Sequence, residues 1–397
     1  MSGSLRLPGG VYEACQYFMP RMMFLHTARG PQLQWGDIVQ ALHDFPTGCT
    51  DLASGAFWDE WMIRWERHGI ACVEQAKRVH PGPGRARCYR TAAASFHWAE
   101  FMYFSDRERK TRLRERVRDC FLESLKDSDL DVSMGVVRWQ GVEIPYYLLL
   151  PTGNRRYGPR PPCVILSNGL DSVTELEPFA FAEQFLERGM AALLFEGPGQ
   201  GRQVGRTPLD PRVELIVPEL VRALRAGNAV DCERLGFFGV SFGGYLALRV
   251  AQHAGHLFRG VVNLSGGPCL APYATLPRRL KEDFEYAFMP DDVEAMQARF
   301  DALRLDLSRR CETDVLSIHG ALDDIFPVSG IELLEQAWAG RHRAVIYPRA
   351  AHVCLNHIGQ YSVDLTDWLA ERLLPDAPVR DQQAPRDEEP FCSAVLN

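Results

Sequence analysis

The 397-residue sequence predicts an α/β fold in which a doubly wound, mostly parallel sheet is preceded by an all-helical segment. Three observations carry this expectation. From about Ser54 to Lys126, apolar residues recur at three- and four-residue steps. From about Asp131 onward, short apolar runs alternate with helical stretches. One of those runs, "RLGFFGVS", enters a helix directly through the glycine-flanked serine of "GVSFGG" (239–244).

Taken in chain order, residues 1–50 are rich in turn formers and read as irregular. "FWDEWMIRWERHGIACVEQAKRV" and "RCYRTAAASFHWAEFMYF" are amphipathic helices separated by the breaker run "HPGPGR", and "VRDCFLESLK" continues a third. "GVVRWQGVEIPYYLLLP" alternates about Gly141 and predicts two antiparallel strands. Six more strands follow in "CVILSNG", "MAALLFEG", "RLGFFGVS", "GVVNLSGG", "TDVLSIHG" and "RAVIYPRAAH", making an eight-stranded sheet with helices between. "DPRVELIVPELVRAL" is helical but carries Pro218, which predicts a kink or break. The expected organisation is a helical domain over 1–130 and an α/β core over 131–375, with a helical insertion at about 267–310. A disordered tail, polar and Pro-rich, takes up 376–397.

Composition is that of an ordinary globular chain, 46% hydrophobic, 24% charged and 10% aromatic. A net charge of −7 and a pI near 5.9 argue against nucleic acid or an anionic membrane surface as partner. The basic run "RERKTRLRERVR" (107–118) fits the solvated face of a helix. Eleven cysteines without CxxC pairs or Cys/His ligand spacing imply reduced thiols in a cytoplasmic protein, with no metal. The N-terminus has no uninterrupted apolar stretch of a secretory signal, and no run is long enough to span a membrane.

Gly239-Val240-Ser241-Phe242-Gly243 fits G-x-S-x-G between a strand and a helix, the context a nucleophile elbow requires. A turn without chemistry is the rival reading. A serine hydroxyl needs a base, and the base an orienting acid. Both follow in chain order. "SIHGALDDIFP" offers Asp323 at a strand end, with Asp324 as the alternative. "YPRAAHVCLNHIG" offers His352, whereas His357 fits a cap or packing role and His319 a satisfied structural histidine. The N–H of Phe242 is one oxyanion donor, and Leu170, after Gly169 in "SNGLDS", is expected to supply the second. The loop "GPGQG" could suggest phosphate binding, but no helix opens directly from it.

Through "NGLDSVTE", "FEGPGQGR", "GVSFGG", "HGALDD" and "AAHVCLNHIG", the chain resembles one branch of the α/β-hydrolases over roughly residues 55–375. That branch contains the 2,6-dihydroxypseudooxynicotine hydrolase, the fermentation-respiration switch protein and fungal polyketide-shortening enzymes. The resemblance implies Ser241 as nucleophile, Asp323 as acid and His352 as base, with the helical N-terminal half packed as a cap. It also implies a catalytic helper at Asp171, where the pyridine-cleaving relative has a glutamate. Asp171 could instead cap a helix starting near Thr174. An ionised carboxylate beside an oxyanion opposes its formation, so a helping Asp171 should be protonated or placed to protonate the leaving group. A homodimer through the N-terminal half is implied by resemblance alone.

The reaction so implied is cofactor-free hydrolysis of a small acyl compound through an acyl-enzyme. It leans to C–C bond hydrolysis of an aryl ketone, β-diketone or polyketide-like substrate. Ester or thioester hydrolysis and acyl transfer use the same constellation, and a non-catalytic regulatory protein on the same scaffold is the rival class. Trp98, Phe101 and Tyr103 are pocket candidates from an aromatic stripe that otherwise reads as core, and Phe284, Tyr286 and Phe288 could line the other wall.

Overall fold

The computed structural model describes residues 7, 9–24, 26–27, 30–152 and 158–374; the tail expected to be disordered lies outside them. Residues 1–50 depart from the expected irregularity. They form helix α1 (Gly9–Phe24), a short antiparallel pair β1 (His26–Thr27) and β2 (Gly30–Pro31), and helix α2 (Trp35–Leu42). Val11, Ala14, Cys15, Phe18 and Met22 make a buried three/four-residue stripe on α1. Its two leading glycines and internal Pro20 mask that stripe as turn signals.

Helices α3 (Gly55–Arg78), α4 (Pro83–Glu100) and α5 (Arg107–Leu125) follow the predicted pattern. α4 packs between the other two, so every residue from Arg90 to Glu100 is buried. Phe57, Trp58, Trp61, Trp65, Phe96, Trp98 and Phe101 form the centre of this helical cluster, joined by Val173 and Leu176 from the α/β half. The solvated-face reading of the basic run fails at two positions. Lys110 and Arg114 on α5 point inward and are buried, because the buried Glu100 carboxylate on α4 binds both.

Eight strands then form one sheet in the order β10-β9-β8-β7-β5-β6-β4-β3. β3 (Asp131–Trp139) and β4 (Val142–Leu150) are the antiparallel hairpin, and β4 also runs antiparallel to β6 (Ala191–Phe195). β5 (Pro162–Ser167), β6, β7 (Asp231–Val240), β8 (Gly260–Leu264), β9 (Val315–Gly320) and β10 (His342–Tyr347) are mutually parallel. Their near-continuous burial from β5 to β9 is that of a sheet covered on both faces.

One face packs on α7 (Val217–Gly227), α8 (Phe242–His253), α9 (Arg278–Phe288), α10 (Val293–Asp301) and α11 (Val328–Ala337). The other packs on α6 (Glu177–Glu187) and α12 (Ile358–Leu373). The break predicted at Pro218 is present. A 3₁₀ turn over Val213–Leu215 precedes α7, so the proline sits in the first helical turn where its missing N–H costs nothing. Helices α9 and α10 occupy the predicted insertion. Among the described residues no helix is long and apolar enough to cross a membrane.

Candidate functional site

Parallel strands bring their carboxyl ends to one edge, and the loops leaving β5, β7, β9 and β10 meet there. Ser241 leaves β7 and begins α8 with φ 58° and ψ −120°, a left-handed conformation that a non-glycine residue adopts only under constraint. Its N–H donates to Leu264 O at 2.7 Å, and its carbonyl accepts from Gly244 and Tyr245 at 2.8 and 3.1 Å. The flanking glycines answer to close approach. A Cβ on Gly239 would lie 1.9 Å from Gly243 O, and one on Gly243 would lie 2.3 Å from Ser167 O.

The structure brings the three sequence-predicted polar residues into one chain of hydrogen bonds. His352 Nδ1 lies 2.8 Å from Asp323 Oδ2, and His352 Nε2 lies 2.8 Å from Ser241 Oγ. A carboxylate only accepts, so Nδ1 carries the proton and Nε2 is left to accept from the serine hydroxyl. Asp323 Oδ1 accepts from the N–H groups of Ile325 and Phe326, both at 2.9 Å. Burial works against charge on Asp323. His352, His319 and the Phe326 N–H nonetheless hold its carboxyl below the usual range. His319 donates to Phe326 O at 2.7 Å, and burial lowers its pKa, in keeping with a structural role. His357 stacks on Tyr347 and heads α12, away from the triad contacts.

Two features that support His352 lie beyond the sequence reading. Val353 and Cys354 follow it with φ of 66° and 50°, and a β-branched residue rarely adopts such a conformation. The hydroxyl of Ser265, just past β8 and itself at φ 53°, accepts the Val353 N–H at 3.0 Å. Phe326 covers one face of the His352 ring, with centroids 6.2 Å apart and planes 22° from parallel.

The loop after β5 approaches the serine from the other side. An ideal Cβ on Gly169 would stand 3.5 Å from Ser241 Cβ and 3.6 Å from Asp171 Oδ1, which puts Leu170 and Asp171 beside the nucleophile position. Phe242 is the first helical residue of α8, so its N–H has no intrahelical acceptor. Asp171 does not cap α6, which starts at Glu177 behind Leu176. Instead Arg21 on α1 grips it with both terminal nitrogens, at 2.7 and 3.1 Å, while its Nε pairs with Glu177. Burial works against charge on Asp171, and Arg21 outweighs it, assisted by His97 and His352, holding the carboxyl below its ordinary range. The condition set for a proton-donating Asp171, a raised pKa, is therefore reversed.

Of the pocket candidates, Phe101 carries the Arg21 guanidinium 4.7 Å above its ring, next to Asp171. Trp98 packs on Phe18 and Phe101, and Tyr103 is also buried within the helical cluster. Phe284 on α9 meets the ring of Phe242 edge-on at 6.0 Å, while Tyr286 bonds Thr111 across to α5 at 3.0 Å. Among the described residues no group of three His, Cys, Asp or Glu side chains is arranged to hold a metal.

Known proteins agree with this architecture. A family model for FrsA-like esterases matches residues 50–280, and one for the prolyl oligopeptidase family matches residues 217–375. The chain is 26% identical over 299 residues to the 2,6-dihydropseudooxynicotine hydrolase of Paenarthrobacter nicotinovorans, covering 72% of this chain and 76% of that one. Hydrolase LUC6 of a Fusarium species is 29% identical over 205 residues, about half of either chain. The crystal structure of the 2,6-dihydroxy-pseudo-oxynicotine hydrolase superposes with a TM-score of 0.74 at 22% identity, over 91% of this chain and 97% of that one. AbyA5 superposes with a TM-score of 0.67 at 20% identity, over 92% and 95%. The eight-stranded sheet, its covering helices and a family match over more than half of the chain lead to one conclusion: this α/β-hydrolase enzyme belongs to the FrsA-like esterase family.

Proposed function

We propose that the protein hydrolyses an acyl compound through a covalent acyl-enzyme on Ser241, with His352 as base and Asp323 as its orienting acid. The observation that carries this is the unbroken Ser241–His352–Asp323 hydrogen-bond chain, with both links at 2.8 Å. His352 Nε2 takes the hydroxyl proton as Ser241 Oγ bonds to the carbonyl carbon. The Phe242 and Leu170 N–H groups receive the oxyanion, each such donor being typically worth about 10²–10³ in rate. The tetrahedral adduct then expels the leaving group, which collects the proton from His352. Water, deprotonated by the same imidazole, releases the acid and frees the serine.

Asp171 enters this reading as an ionised carboxylate neutralised by Arg21, not as the proton donor, because its pKa is lowered. The guanidinium offsets the repulsion that a bare carboxylate would exert on the oxyanion.

The favoured substrate is an aryl ketone, β-diketone or polyketide-like compound cut at a C–C bond. Expulsion of carbon demands a stabilised carbanion, and aromatic side chains near the site, Phe101 under Arg21 and Phe284 against Phe242, would suit a leaving group that is an enolate or electron-rich ring. Ester hydrolysis is the second reading, favoured by the FrsA-like esterase match.

Intact-mass labelling with a fluorophosphonate is the test. Wild type should gain one adduct and Ser241→Ala none. Product analysis with β-diketones, aryl ketones and esters side by side then separates the two readings. Folded wild type that takes no label would sink the nucleophile assignment.

A further inference from the structure

The loop that leaves β6 carries the "GPGQG" run, and the triad makes no use of it. Its side chains nonetheless reach the segment after β5 at two points. Gln200, 1% exposed, accepts the Gly197 N–H through Oε1 at 3.2 Å and donates through Nε2 to Asn168 O, also at 3.2 Å. A backbone N–H only donates and a carbonyl only accepts, so these two partners fix which end of the amide faces which. Glu196, buried just past β6, accepts the Thr174 N–H through Oε1 at 3.1 Å and the Arg202 N–H through Oε2 at 2.9 Å. One loop therefore ties residues 168–174 at both ends.

The loop is itself braced. Arg114 on α5 donates through a terminal nitrogen to Gly201 O at 2.7 Å, so the helical half holds it from outside. A Cβ on Gly201 would lie 1.9 Å from Glu196 Oε1, so only a glycine there leaves room for the carboxylate.

Between the two ties stand Leu170 and Asp171. Asn168 also meets the nucleophile helix, because a Cβ on Gly243 would lie 2.6 Å from Asn168 O. Gly169 separates the held Asn168 carbonyl from the Leu170 N–H, and glycine is too permissive to fix its own φ and ψ. The direction of that N–H is thus set by what grips the segment from either side.

We propose that Gln200, assisted by Glu196, is a positioning residue for the oxyanion site, holding the Asn168 carbonyl so that the Leu170 N–H points to where the oxyanion forms. This deepens the proposed function and rests on its assignment of Ser241 as nucleophile and Leu170 as donor. Gln200 acts through the backbone, so its effect belongs to the bond-forming step rather than to binding.

The test follows phosphonylation of Ser241 by a fluorophosphonate in the full chain, the phosphonyl oxygen standing in for the oxyanion. Its concentration dependence separates the maximal rate constant, kinact, from the half-saturating concentration, KI. Gln200→Met keeps the length of the side chain and removes both of its bonds. It should lower kinact about tenfold or more, up to the roughly 10²–10³ that a whole donor is worth, with KI within about twofold. Hydrogen exchange over residues 168–174 should quicken about tenfold in the same variant. Gln203→Ala is the control, since that side chain lies on the same loop but donates to Glu143 O at 2.9 Å. It should leave kinact, KI and exchange within about twofold of wild type. Glu196→Gln can keep only one of its two bonds, should move kinact and exchange in the same direction as Gln200→Met, and decides if that variant does not fold.

Three results would overturn the positioning role: an unchanged kinact in Gln200→Met, slower labelling with unchanged exchange at 168–174, or an equal loss in Gln203→Ala. A purely structural part would lower the melting temperature and leave kinact of the folded fraction as in wild type. Wild type that takes no label is a different failure. It removes the nucleophile assignment, and the catalytic purpose of Gln200 with it, while the exchange measurement still reads whether Gln200 holds the segment.

Discussion

Arg21 and Asp171 stand 150 residues apart in the chain and meet beside the nucleophile. Replacing Arg21 by Ala strands the Asp171 carboxylate next to the developing oxyanion, an uncompensated charge in a half-buried place. The expected result is a fall in kcat/KM of about tenfold or more, near 1–2 kcal/mol of transition-state stabilisation. The double variant Arg21→Ala/Asp171→Asn should recover most of the loss, measured on any ester or ketone the wild type turns over. Equal losses in the single and double variants would show that the pair is not coupled to the reaction. The triad candidates could be read from the chain because each sits at a strand end in a fixed order. Arg21 could not, since an ion pair across two halves of a molecule has no local pattern. Lys110 and Arg114 were hidden because their inward turn depends on how α5 packs on Glu100 of the preceding helix.

At the scale of elements, the β7–α8 junction was legible because glycine spacing states a steric need that the structure bears out at Gly239 and Gly243. The segment after β10 was not. Nothing in "AAHVCLNHIG" announces that Val353 and Cys354 take left-handed backbone conformations. Such conformations cost of order 1–3 kcal/mol each and persist only where the surroundings over-determine them. Here Ser265 supplies part of that determination by accepting the Val353 N–H, and so acts on His352 through the backbone. Ser265→Ala should lower kcat about tenfold while KM stays within a factor of two, since a misplaced base weakens only the chemical step. A purely structural loss would instead lower the melting temperature and leave kcat of the folded fraction unchanged. Helix α1 was missed for the opposite reason. Gly9, Gly10 and Pro20 are turn formers in isolation, and tertiary burial of one stripe overrides them.

Over the whole molecule, strand–helix alternation was enough to foresee a two-face-covered sheet, because burial on both faces writes itself into continuous apolar runs. How the helical half meets that sheet was not foreseeable, and the seam has consequences for stability. Glu175 lies on it, buried, accepting from Tyr147 Oη at 2.7 Å. Burial and the nearby Glu196 charge push its carboxyl up to about 7, against the pull of Tyr147 and Arg202. An unfolded glutamate titrates near 4.3, so between about pH 4 and pH 7 the folded chain holds a proton that the unfolded chain has lost. Stability contributed by this group therefore falls as pH rises through that window and is level above it. Glu175→Gln keeps the acceptor for Tyr147 and removes the titration. Its melting temperature relative to wild type should climb from pH 4.5 to pH 8 by several degrees, reflecting roughly 2–4 kcal/mol. Thermal melts of both proteins across that range decide it. A difference independent of pH would mean that Glu175 ionises as in the unfolded chain, and that the seam between helices and sheet tolerates its charge.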